Sequence, residues 1–514
     1  MKENLRFFEK QLDIGQPYIR LFIVVFIAAV LSKGAVIFRG YAVDDYVFIS
    51  GIDDGNLVHF LTLGRYIQAA IALLVDAFGS NLNDLYFLLG IVTLFLQAGF
   101  VVSILRFVGM EDLPAAGLVG SIMVAHPYLA EALTFREGLP GYSVAMIFSI
   151  FALEMAAKRP ATWQTRVSSG LATFALLLTY QVFLNYFAVA IAFAFIFRDV
   201  LKNRVVQAAP NNNIYLERAV TLTVVSTISA LAFVLVVWLT RATGLATLDG
   251  RTKFIQFDQI PERMEQISTA LVRIYWDAEP VFPGLPKTLV ALMLVISVVT
   301  IIRHLVKVNI GKDSIINSFF AFLALAIVVP MSLGVIIPLG EWWPVPRVIA
   351  HVAIITGLLF LGADLCVGEH NSRFLRSTIF VSRFVVLVGF IFLSNQIFAD
   401  QQRINQWDRM EANRIISRLE MLPNFSDIRY VYVKKGSWGY PATLRTIQGD
   451  MNISAYAKEY ASVQLLTEVS GYRFEKATGL RATEGEKYCE AKRPWPHGES
   501  VTIEDDMAII CLTE

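Results

Sequence analysis

The sequence predicts an all-α polytopic membrane protein of about eleven spans. Interfacial helices occupy its outer loops, and a small C-terminal α+β domain follows. Three observations lead there. Of 514 residues, 55% are hydrophobic and only 17% charged, with a mean hydropathy of +0.55; soluble chains carry about 25% charged residues. That deficit is confined to residues 1–399, a transmembrane region, whereas residues 400–514 read as a water-soluble domain. Finally, every second connection between the apolar runs is short and basic, the pattern of cytoplasmic loops. The net charge of +1 carries no argument about nucleic acid, and no nucleic-acid partner is expected.

Lys2, Arg6, Lys10 and Arg20 precede the apolar run Leu21–Leu31. With no small-residue cleavage site and more apolar runs downstream, this is an uncleaved first span with a cytoplasmic N-terminus. Lys33 can snorkel at its outer end. The first stretch on the far side is Gly40-Tyr41-Ala42-Val43-Asp44-Asp45-Tyr46. Adjacent carboxylates at a membrane mouth need water, a cation or a substrate to solvate them. They are either a polar loop that keeps the span end wet or part of an active site at the outer membrane surface.

Gly64-Arg65 opens an amphipathic segment to Phe78. Arg65, Gln68 and Asp76 form its polar stripe, opposite Tyr66, Ile67, Ala70, Ile71 and Leu74, as in a helix lying in the interface. Counting it as a span would reverse every later loop. Further runs lie near Leu85–Phe107, Leu113–Leu129, Leu139–Ala157, Val167–Tyr180, Val182–Phe197, Leu216–Thr240, Leu289–Val308, Ile315–Leu339, Val348–Val367 and Thr378–Phe398. Val167–Phe197 is too long for one span and reads as two helices turning at Tyr180-Gln181. The inner connections then hold Arg106, Lys158, Arg159, Arg166, Arg198, Lys202, Arg204, Arg218, Arg303, Lys307, Lys312, Arg373, Arg376 and Arg383. An odd count places the C-terminal domain outside.

The outer surface collects the acidic loop with Asp53-Asp54, then His126-Pro127-Tyr128 through Arg136-Glu137, and the Tyr180-Gln181 turn. It also holds a long loop from Arg241 to Lys287, with Arg251, Lys253 and Arg273. There Ile260, Met264, Ile267, Leu271 and Ile274 follow helical spacing after a first-turn Pro261, predicting a second surface helix. Trp342 and Trp343 suit an interfacial belt or a sugar platform. Arg347 opens a span on the outer side, against the positive-inside bias. It either binds an anion such as a lipid-linked phosphate through its planar fork or pairs with Glu341.

Residues 400–514 predict a helix over Gln401–Leu422, a strand over Ile428–Val433, a helix over Ser454–Val469, and strands over Val501–Ile503 and Ala508–Leu512. No catalytic set is evident there, so the domain either binds acceptor or packs over the site. Cys489 and Cys511 share this outer domain, where a disulfide is chemically permitted. Six histidines and three cysteines form no tight metal-ligand cluster, nucleophile elbow or phosphate-cradling glycine loop.

The Tyr41–Tyr46 loop, Gly64-Arg65, His126-Pro127-Tyr128 with Phe135-Arg136, Tyr180-Gln181 and the tail Trp495-Pro496-His497-Gly498-Glu499-Ser500-Val501 resemble the type II Gtr glucosyltransferases. These are serotype-conversion enzymes of phages and bacteria within the GT-C class of membrane glycosyltransferases. The resemblance implies a GT-C-like fold in a cell inner membrane, with the active site and C-terminal domain periplasmic. It implies transfer of a sugar from a polyprenyl-phosphate donor, typically undecaprenyl-phosphate glucose, to a lipopolysaccharide O-antigen or similar lipid-linked glycan. An acidic residue of the first outer loop, Asp44 or Asp45, is then the general base of an inverting displacement. Arg65, Arg136, Glu137, Tyr180, Gln181 and Arg347 become the candidate substrate-binding set. A single-phosphate donor has little need of a metal, so no cofactor is expected, although an acidic pair has the ligands for a divalent cation.

Two other readings share this outline. A polysaccharide polymerase or ligase would use the same outer-loop acids and arginines. A lipid or sugar transporter would place ionisable groups near mid-bilayer, whereas Lys33, Glu154, His304 and Asp364 all fall near predicted span ends.

Overall fold

A computed structural model describes residues 16–48, 54–110, 113–159, 161–201, 214–245, 253–277, 284–309, 315–367, 373–434, 443–446 and 452–513. Lys2, Arg6, Lys10, Asp53, Lys202, Arg204, Arg251 and Lys312, which the sequence reading used, lie outside these residues. Each predicted apolar run contains a helix, since a chain in lipid must satisfy its backbone polar groups internally. In order these are α1 (Gln16–Lys33), α2 (Asp54–Thr62), α3 (Tyr66–Ala77), α4 (Tyr86–Phe107), α5 (Leu113–Ala125) and α6 (Pro127–Leu133). There follow α7 (Leu139–Ala157), α8 (Trp163–Thr179), α9 (Leu184–Leu201), α10 (Ile214–Ala242) and α11 (Ile260–Val272). The last of the bundle are α12 (Leu285–Asn309), α13 (Ile315–Met331), α14 (Val352–Cys366) and α15 (Arg373–Glu420).

Among the described residues seven helices are long and apolar enough to cross a membrane, or eight if α5 and α6, bent by 45°, form one span. The expected eleven crossings exceed that number for a physical reason. Helices α8 and α13 have 17 residues and α14 has 15. At about 1.5 Å per residue these fall short of a hydrocarbon core of about 30 Å. The expected turn at Tyr180-Gln181 is present: α8 ends at Thr179, and a 3-10 turn over Gln181–Phe183 leads into α9.

Helix α3 lies where the interfacial helix was expected, but with a different face inward. Gln68, Ala69 and Ala72 are buried, while Leu73, Leu74 and Phe78 are exposed. Gln68 therefore does not belong to a solvent-facing polar stripe. Its side chain packs against Gly141 of α7, where an added Cβ would come within 3.0 Å of Gln68 Cδ. Helix α11 begins as expected with Pro261 in its first turn. Its apolar stripe divides: Ile274, just beyond the helix, is buried and Ile267 and Leu271 pack on the bundle, while Ile260 and Met264 are exposed.

Residue 400, where the composition changes, lies within a helix. Helix α15 runs unbroken for 48 residues from the bundle into the C-terminal domain. There it meets β1 (Tyr430–Lys434), α16 (Glu459–Ser470), β2 (Glu475–Lys476), α17 (Leu480–Glu490), β3 (Val501–Glu504) and β4 (Met507–Cys511). The sheet order is β2-β1-β4-β3, with β1 parallel to β2 and β4, and β3 antiparallel to β4. Strand alternation divides β1 between two cores. Val431 and Val433 pack in one cluster with Ile415, Leu419 and Leu466, while Tyr430 and Tyr432 pack with Cys489 and Cys511. Cys489 and Cys511 are joined by a disulfide, their Cα atoms 5.3 Å apart. Removing it with Cys489→Ser should lower the stability of this domain by about 3 kcal/mol, the figure for a loop of such length. Unfolding with and without reductant reads the effect, and equal stability of the two forms would contradict it.

Candidate active site

The acidic loop is held from three directions. It folds as a 3-10 turn over Val43–Phe48, and Tyr41, Ala42, Val43 and Tyr46 belong to the apolar core of the C-terminal domain. Asn405 of α15 pairs with the backbone of Tyr41 in both directions, accepting from its N–H at 2.8 Å and donating to its carbonyl at 2.9 Å. Adjacent side chains on this turn then point to different places. Asp45 is fully buried and accepts backbone N–H groups from Ala42 (2.7 Å), Arg136 (3.2 Å) and Glu137 (2.8 Å). Burial pushes its carboxyl up to about 7 against the opposing pull of those amides. Asp44 is only half-buried, accepts the Tyr460 hydroxyl at 2.6 Å, and lines a cavity.

That cavity, ≈ 100 Å³, gathers four of the six predicted substrate-binding residues. Arg65 enters from the turn between α2 and α3, where Gly64 takes φ +69°, a conformation costly for any residue with a Cβ. Its guanidinium lies 4.7 Å from the centre of the Tyr180 ring. Arg347, from the segment before α14, also lines the cavity, 4.5 Å from the centre of the Trp343 ring. A guanidinium held over an aromatic ring directs its N–H groups in its own plane, where they can donate to an oxyanion. Glu137 is the fourth. Burial pushes its carboxyl well above the usual range, the charges of Asp45 and Asp44 add to the rise, and Arg65 and Arg347 oppose it.

Two predicted residues do not line this cavity, although Gln181 lines the groove beside it. Arg136 is buried and donates to the carbonyls of Leu133 and Phe38 (3.3 Å) and to Gln401 Oε1 (3.5 Å), tying the loops to α15. Gln181 donates to the carbonyls of Leu63 and Gly64, at 3.2 and 3.1 Å, and so holds the turn that presents Arg65. Gln68, His59, Tyr142 and Phe135 also line the cavity and Tyr460 is the partner of Asp44, none of them expected there from the sequence. Tyr460 stands 416 residues from Asp44, and no local pattern marks it. Among the described residues no group of three or more His, Cys, Asp or Glu is placed to hold a metal ion.

An apolar groove of ≈ 600 Å³ adjoins the cavity and shares Leu63, Arg65, Val182, Trp343 and Val348 with it. Phe233, Val237 and Trp238 of α10 line it together with Val335, Ile336 and Leu339. Lys253 and Arg241 stand at its polar margin, and the exposed side chains of Val234, Trp238 and Phe254 carry its rim onto the bundle surface.

The protein thus sets an acid- and arginine-lined cavity beside an apolar groove. The family model described as glucosyl transferase GtrII matches residues 35–362, more than half of the chain, and the chain belongs to that family. Membership carries glycosyltransferase activity and supports a glucosyltransferase of surface glycans. No curated protein and no solved structure matches the chain.

Proposed function

We propose that the protein moves a hexose, glucose by its family, from a polyprenyl-phosphate carrier such as undecaprenyl phosphate to a lipopolysaccharide O-antigen or similar lipid-linked glycan. The observation that carries this reading is that the small cavity and the large apolar groove share Arg65 and Trp343 in their linings. A lipid-phosphate sugar has those two halves, and its phosphate falls at their junction. Asp44 accepts the proton of the acceptor hydroxyl as that oxygen bonds to the anomeric carbon, and Tyr460 holds the carboxylate in place. The bond from the anomeric carbon to the phosphate oxygen breaks, and Arg65 and Arg347 take up the charge on the departing lipid phosphate. No metal enters this scheme. The reaction lies on the periplasmic side of the inner membrane, with the N-terminus cytoplasmic and the C-terminal domain periplasmic.

The test is reconstitution of the full chain in phospholipid vesicles with synthetic undecaprenyl-phosphate glucose and a lipid-linked glycan acceptor. One hexose gained per acceptor repeat supports the reading; chain lengthening or en bloc glycan transfer replaces it with a polymerase or ligase. Arg347→Lys should raise the donor KM about 10-fold, the loss of one charge-assisted hydrogen bond, because ammonium keeps the charge and loses the planar fork. Unchanged donor KM in both Arg347→Lys and Arg347→Ala would move the phosphate site elsewhere.

A further inference from the structure

We propose that Gln68 reads the transferred sugar, its carboxamide bridging two neighbouring hydroxyls of the hexose. This inference rests on the hexose-transfer reading above and adds to it a residue that sets sugar specificity. Gln68 is 4% exposed, yet it lines the cavity that also holds Asp44, Arg65 and Arg347. No hydrogen bond to its carboxamide is found among the described residues. Its carboxamide therefore keeps a donor and an acceptor for a ligand in the cavity.

A second side chain on the same cavity shows the same unspent capacity. Glu137 is 6% exposed, and its Oε2 is buried with no hydrogen-bond partner. The two residues come from different elements, α3 and the turn before α7, and both line one small space. A carboxamide presents an accepting oxygen beside a donating NH2. Vicinal hydroxyls of a pyranose present the complementary pair, because each hydroxyl both donates and accepts. A phosphate would satisfy only the donating half, and a hydrocarbon neither. The chemistry therefore assigns the sugar to this side of the cavity and the phosphate to the arginines.

Gly141 sets where the carboxamide lies. With no side chain on Gly141, Gln68 packs flat on α7; a Cβ there would meet Gln68 Cγ at 3.2 Å and Cδ at 3.0 Å. Gly141→Ala thus displaces the end of a flexible side chain while leaving its chemistry intact. It supplies a second variant should Gln68→Leu fold poorly.

The experiment uses the full chain in vesicles, with undecaprenyl-phosphate glucose and its 2-, 3-, 4- and 6-deoxy analogues as donors. The readout is the ratio of kcat/KM for glucose to that for each analogue. The parent protein should discriminate against at least one analogue by about 10-fold or more, the scale of one neutral hydrogen bond. Gln68→Leu should bring that ratio close to 1, and Gly141→Ala should lower it. A purely structural role for Gln68 would reduce transfer from every donor equally and preserve the ratio. Transfer with the parent ratio retained in both variants overturns the inference alone. Failure of the parent protein to transfer from any of the donors overturns it together with the hexose-transfer reading.

Discussion

Asp44→Asn lowers the rate of sugar transfer by about 10²- to 10⁴-fold, the loss expected when a general base is removed. The amide keeps the shape of the side chain but cannot accept the acceptor proton. Folding and donor binding should survive, because Asp44 is half-buried and its hydrogen bond from Tyr460 can be kept by an amide oxygen. Tyr460→Phe leaves the carboxylate in place but frees its orientation, so its effect on rate should be smaller than that of Asp44→Asn. Initial rates at equal amounts of folded protein in vesicles decide the matter. Transfer by Asp44→Asn at the parent rate would remove Asp44 from the chemistry and leave it as a residue that keeps the loop wet.

Asp45→Asn acts through stability. Both carboxylate oxygens accept backbone N–H groups, from Ala42 and Arg136 on one oxygen and Glu137 on the other. An amide has a single acceptor oxygen, so its NH2 must face at least one of those N–H donors. The substitution should destabilise the fold by about 1–3 kcal/mol, and Asp45→Ala, which strands all three donors, by more than about 4 kcal/mol. The pH dependence follows from the same burial. Burial puts the carboxyl at about 7 in the fold, against about 4 in the unfolded chain. The folded state therefore binds more protons across that window, and stability falls as pH rises through it. Asp408 of α15, also pushed up to about 7 by burial, adds a loss of the same sign. Thermal unfolding in detergent at pH 5 and pH 8 should show the lower Tm at pH 8, with a shallower slope in Asp45→Asn. An unchanged slope would show that Asp45 is not the titrating group.

Much of the architecture is legible in the chain because hydropathy is a local property. The eleven apolar runs, the turn at Tyr180-Gln181, the surface helix after Pro261 and the late strands near Val501 and Ala508 coincide with elements of the fold. The family is legible for the same reason, since short motifs stay together in sequence. The number of crossings is less so: the lengths of α8, α13 and α14 depend on where neighbouring segments break them, and hydropathy alone does not mark those breaks.

By itself the sequence determined that this is a membrane protein of helices, and that two adjacent acids follow its first apolar run. The tertiary structure alone decided which acid meets the cavity. Asp44 and Asp45 have the same chemistry and adjoining positions; what separates them is the rotation of the loop. That rotation is fixed by Asn405, 364 residues from Tyr41, and by the amides of Arg136 and Glu137. It also decided that Gln68 turns inward, since the bare face of Gly141 opens that position, and that Arg136 braces loops instead of facing the cavity. Such choices depend on packing between segments far apart in the chain, which no periodicity within either segment encodes.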